Sequence, residues 1–178
     1  MKVVSLLVGF IFLGSLFSWG IGIETISKKK FKKFISCVYE ETDNISFEEI
    51  HFDDSLLVGI GEKAFYFIKE NNEIIDVLCL AKTKGRHDYF DYGVILSKDL
   101  EVRMVRVLKY RAEYGYQISN KRWLNQFIGK KPNKEFFYRK GIDAMSGATI
   151  SGPKITNDIK LILEFLEKNR ASLNVQAG

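Results

Sequence analysis

Cysteine, histidine and proline are scarce in this chain, and each scarcity closes off a class of protein. The two cysteines, Cys37 and Cys79, show no Cys-x-x-Cys spacing, which excludes the usual zinc and dithiol motifs. Both read as small buried residues. Cys37 follows a lysine run and not an apolar segment, so it is no lipoprotein cysteine. The two histidines, His51 and His87, are far apart, and no metal site is expected. With two prolines there is no room for long proline-rich linkers. No repeat or low-complexity tract is present. No Gly-x-Gly-x-x-Gly follows a candidate strand, so no dinucleotide site is expected. No acid–base dyad or nucleophilic triad stands out, and no catalytic residue is assigned.

What remains is ample for a folded core. Of 178 residues 46% are hydrophobic and 28% charged, with 14 Phe and 8 Tyr. This length suits one domain with an appendage. The appendage is N-terminal: Val3 to Ile23 carries no charge and is about long enough to span a bilayer. Residues 1–23 therefore fit a membrane anchor, and also a signal peptide with a one-lysine leader. The lack of an Ala-x-Ala site near Ser15 to Gly20 favours the anchor.

Residues 24–52 read as a basic amphipathic helix and connector. The helix, Ser27 to Glu40, sets Phe31, Phe34, Ile35 and Val38 opposite Lys28, Lys29, Lys30, Lys32 and Lys33. Positive charge prefers the cytoplasmic side, so these lysines oppose export of the domain. A cleaved signal removes the objection, and so does a basic helix lying on an anionic membrane surface.

Residues 53–170 form the domain proper, and 171–178 a tail. Asn44 to Phe52 reads as a short helix or turn. Ala64 to Ile68, Ile74 to Leu80, Tyr89 to Leu96 and Val102 to Tyr110 are rich in β-branched and aromatic residues and read as strands. Gly59-Ile60-Gly61, Asn71-Asn72, Lys84-Gly85 and Lys98-Asp99 supply turns. Consecutive strands with short connections imply an antiparallel sheet. Helices flank it, so the fold class is α+β with an N-terminal apolar segment. Arg103, Arg106, Lys109 and Arg111 make one strand basic, but no nucleic-acid motif accompanies them and no nucleic-acid partner is expected.

The most informative stretch is Asp143-Ala144-Met145-Ser146-Gly147-Ala148-Thr149 with Ile150-Ser151-Gly152-Pro153. It reads as a turn opening a helix. Pro153 suits a first helical position, and Ile155, Ile159, Ile162, Leu163 and Leu166 then recur on one face. Ser146, Thr149 and Ser151 thus fall where unpaired amides and the macrodipole suit a phosphate. They are equally placed to act as ordinary helix caps.

Asp143-x-x-Ser146-Gly147-Ala148-Thr149 resembles the flavinylation motif of the FMN-binding domain family. That family includes the flavin-carrying subunits of ion-pumping NADH:quinone and ferredoxin:NAD oxidoreductases. Glu113 and Gly115 also resemble the family's Glu-Thr-x-Gly loop, with Tyr114 in place of Thr and one residue fewer before the glycine, and Trp123 and Phe127 follow as its Trp-x-x-x-Phe segment. The resemblance runs from Leu56 to Phe165. It implies FMN esterified through its phosphate to Thr149, by a magnesium-dependent flavin transferase that consumes FAD and recognises Asp143. It further implies that Ser146, Gly147 and Ala148 shape the attachment turn. Glu113, Tyr114, Gly115, Tyr116 and Trp123 would seat the ring, Tyr114 being also able to stack on it. The loop and the turn must then lie together in the fold. The function implied is electron transfer between membrane or extracytoplasmic partners, either redox proteins or a quinone. The protein would be membrane-anchored or exported, with its flavin domain outside the cytoplasm. A flavin-dependent reductase of a small substrate, and a binding or assembly module of a membrane redox complex, are the alternatives.

Overall fold

Strand-forming residues dominate between Lys63 and Tyr110, and they build one sheet. The computed structural model describes residues 26–177. Strands β1 (Ile45–Ile50), β2 (Lys63–Glu70), β3 (Glu73–Lys84), β4 (Tyr89–Ser97) and β5 (Val102–Tyr110) form a five-stranded antiparallel sheet in the order 1-2-3-4-5, with the single helical turn α2 (Asp54–Leu57) between β1 and β2. Asn71 and Asn72 close the β2–β3 hairpin with φ of 50° and 69°. Asparagine tolerates the left-handed region that a two-residue hairpin turn demands. The α+β class and the antiparallel sheet are as expected. The apolar run Val3 to Ile23 lies outside the described residues. Among these, no helix is long and apolar enough to cross a membrane.

Alternation along the strands sends side chains to two faces, and both are covered. One face presents Phe65, Phe67, Cys79, Tyr92, Val94 and Val105 to helix α4 (Ser151–Lys168). The other presents Tyr66, Ile68, Leu78, Leu80, Ile95 and Leu108 to helix α1 (Lys28–Ile35). The result is three layers, with the sheet between the two helices. Gly93 on β4 makes the α1 contact possible: a Cβ there would stand 2.6 Å from Cε1 of Phe34.

Several boundaries differ from expectation. Asn44 to Phe52 is not a helix or turn; most of it is the edge strand β1. Ile45 and Phe47 pack toward the α1 side and Ile50 toward the α4 side, while Ser46, Glu48 and Glu49 are exposed. Two alternating apolar residues are a faint signal, and pairing with β2 supplies the rest. Helix α1 is shorter than Ser27 to Glu40: it ends at Ile35, and Val38 packs against the same cluster from the turn that follows. Cys37, expected to be buried, is exposed just beyond it, with its thiol donating to the Lys33 carbonyl at 3.2 Å. Cys79 is buried, as expected.

Of the residues set apart as a tail, those from 171 to 177 are helical. Helix α5 (Arg170–Ala177) buries Leu173 and hydrogen-bonds both backbone groups of His51 through Gln176. Helix α4 begins at Ser151, two residues before Pro153, which still sits in the first turn where its missing amide is harmless. All five apolar residues expected on its inner face are buried. A polar tie fixes it to the sheet: Lys63, its side chain 1% exposed, pairs with Asp158 at 2.6 Å, and Tyr92 donates its hydroxyl to the same carboxylate. Arg103 on β5 pairs with Asp76, and Arg111, just past the end of that strand, grips Asp91 through two hydrogen bonds of 2.8 and 2.6 Å. Buried carboxylates therefore take up two of the four basic side chains that run from Arg103 to Arg111.

Candidate functional site

The residues from Asp143 to Ser151 form a turn held by its backbone. Upstream of it the chain runs from β5 through a loop, a 3-10 turn (Tyr116–Ser119), the single helical turn α3 (Lys121–Leu124) and a second 3-10 turn (Asn125–Phe127). The strands β6 (Phe137–Tyr138) and β7 (Gly141–Ile142), of two residues each, then deliver Asp143. Trp123 and Phe127 are not on one continuous helix, but their rings still meet edge to face, with centroids 5.4 Å apart. Asn120 starts α3 by accepting the Trp123 amide at 3.1 Å, and this sets the indole direction.

Trp123 then holds the turn. Its indole N–H donates to the Asp143 carbonyl at 2.7 Å, and the Asp143 amide donates to Gln126 Oε1 at 2.9 Å. The Met145 amide donates to the Tyr138 hydroxyl at 2.8 Å. Ala148 is buried in the core. Gly152 rests on the Tyr138 ring, where a Cβ would come within 2.6 Å of Cε2.

The loop at Glu113 to Tyr116 does lie against this turn. Gly115 has φ +88° and Gly147 has φ +79°, left-handed values that glycine adopts freely. A Cβ on Gly115 would stand 2.8 Å from the Tyr110 hydroxyl and 3.6 Å from the Gly147 carbonyl. A Cβ on Gly147 would meet the Gln117 amide carbon at 2.8 Å. Tyr110 donates its hydroxyl to the Tyr114 carbonyl at 2.6 Å, and burial raises its pKa. Tyr114 and Tyr116 are 74% and 67% exposed, large values for aromatic side chains. Glu113 is exposed beside them.

The polar side chains that the turn leaves outward are Asp143, Ser146 and Thr149, all exposed. Helix α4 starts at the cap position Ile150 with no side chain capping it. The capping alternative for Ser146 and Thr149 is therefore not what the fold uses. Among the described residues nothing hydrogen-bonds the Thr149 hydroxyl. Ser151 is buried.

Three residues that hold the site carried no sequence signal. Gln117, Gln126 and Tyr138 act through single hydrogen bonds or close packing, which no periodicity reveals. Among the described residues, Gln117 Oε1 is buried without a partner. In the basic loop from Lys130 to Lys140, Lys131 pairs with Glu101 at 2.8 Å, which lowers the Glu101 carboxyl and raises the Lys131 amine. Among the described residues, no group of three or more His, Cys, Asp or Glu is placed to hold a metal. No protein-family model and no curated protein matches the chain.

Proposed function

We propose that this turn is an attachment site for FMN and that the protein is an electron carrier. The observation that carries the reading is the state of Thr149. Thr149 is exposed, and among the described residues its hydroxyl has no partner at an uncapped helix N-terminus, while hydrogen bonds and packing hold the backbone on either side. A threonine retained for capping would be engaged. One left open, among small neighbours, suits esterification by another enzyme.

Attachment would join Thr149 Oγ1 to the FMN phosphorus of FAD. The bond to the AMP half breaks, AMP leaves, and the hydroxyl proton passes to a base of the transferase. The ester phosphate would face the first turn of α4, where the dipole favours negative charge. Tyr114 and Tyr116 offer exposed rings for stacking on either side of Gly115, which approaches Gly147, and the buried Gln117 Oε1 offers an acceptor for an N–H. Bound there, FMN supplies one- and two-electron redox chemistry. The chain would supply the tether, the stacking surface and the local polarity that sets the potential. A covalent tether removes the need to recruit free cofactor, which suits a membrane-anchored or exported domain outside the cytoplasm. Electrons would come from, and pass to, redox partner proteins or a quinone.

The test is flavin fluorescence in a denaturing gel after co-expression with a flavin transferase. Thr149→Ala should give a dark band, because the ester oxygen is gone. Ser146→Ala should dim the band without abolishing it. A bright Thr149→Ala band would end the assignment.

A further inference from the structure

The lysines of α1 have no role in the fold or in the candidate site. Lys28, Lys29, Lys30, Lys32 and Lys33 make up five of its eight residues, and all are exposed. Among the described residues none of them forms an ion pair. The remaining residues, Phe31, Phe34 and Ile35, are buried against the sheet. Packing therefore fixes the helix in rotation, and the helix holds the lysines on its outward face.

The array is costly to the helix itself. Three lysines occupy the first turn, and no acidic residue is there to answer the positive end of the macrodipole. The nearest following carboxylates, Glu40, Glu41 and Asp43, lie beyond the helix and are exposed. A merely solvated face gains nothing from such one-sided charge, whereas an anionic surface would neutralise it.

Chain length says which surface. The uncharged run Val3 to Ile23 ends three residues before Ile26, where the described chain begins. A residue spans at most about 3.6 Å. Wherever that run enters a bilayer, α1 lies within reach of the headgroups. We propose that the lysine face of α1 rests on anionic lipid headgroups. The turn at Thr149 belongs to the α4 side of the sheet, so this contact would present it away from the bilayer. The proposal holds whether or not Thr149 carries FMN.

The test uses the full chain in nanodiscs of phosphatidylcholine alone, or mixed with phosphatidylglycerol. Amine acylation is mapped by mass spectrometry. The α1 lysines should react severalfold more slowly in the anionic discs, while Lys121, Lys134 and Lys154 keep their rates. Salt at about 0.5 M should remove the difference by screening. With Lys28, Lys30 and Lys32 changed to Gln, the protection remaining at Lys29 and Lys33 should weaken. Equal rates in both discs overturn the proposal, and so does protection as strong on the neutral lipid as on the anionic one.

Discussion

Gly152 has no room for a methyl group, and the reason lies in the residue that holds the candidate turn. A Cβ there would press on Tyr138 at 2.6 Å from Cε2 and 3.0 Å from Cζ. The ring has to move, and its hydroxyl then leaves the Met145 amide. Gly152→Ala should cost about 1–3 kcal/mol as an overpacked site. Tyr138→Phe keeps the ring and loses only the hydrogen bond, about 1 kcal/mol. Urea unfolding of both variants measures the pair, and a Gly152→Ala protein as stable as the parent would show that the ring does not hold the turn. The sequence announced Asp143, Gly147 and Thr149 because they form a contiguous motif. It was silent on Tyr138, Gln117 and Gln126, whose partners are brought to them only by the fold.

At the scale of elements, the tie between α4 and the sheet decides how the fold meets alkali. Tyr92 is fully buried, and burial, followed by the Asp158 carboxylate, pushes its pKa well above the ordinary 10.0. Burial likewise raises Tyr39, hydrogen-bonded to Asp76, and the Cys79 thiol. Below the ordinary values all three are neutral in both states, and the stability tied to them is fully present. As pH rises past those values only the unfolded chain ionises, so stability falls. Each group contributes a slope of about 1.4 kcal/mol per pH unit. Tyr92→Phe should start less stable, because Asp158 loses a donor, yet lose stability less steeply between about pH 10 and 11. Urea midpoints across that range measure it, and parallel curves would show that Tyr92 ionises alike in both states. Strands β2 to β5 were legible because both faces of the sheet are covered, which keeps most of their central positions apolar. The edge strand β1 was not, since Glu48 and Glu49 face water and only pairing makes it a strand.

The whole molecule sets two faces apart. The α1 lysines lie on one side of the sheet, and the elements that build the turn at Thr149 belong to the other. Antiparallel pairing was readable from consecutive strands with short turns. The assignment of α1 and α4 to opposite faces was not, because each helix shows only that it has an apolar side. Side of the membrane is a separate question, on which two forces disagree. The lysine run favours retention in the cytoplasm, while covalent attachment of FMN is most useful where free flavin is scarce. We expect the second to prevail, with Val3 to Ile23 taking the chain to the membrane and the residues from Phe31 onward outside. Protease added to intact spheroplasts should then degrade the domain while a cytoplasmic marker survives. A domain protected until lysis would place it inside and give the lysines the decisive role in topology. Lipid contact by α1 would survive that result, since it needs an anionic leaflet on the domain's side and nothing more.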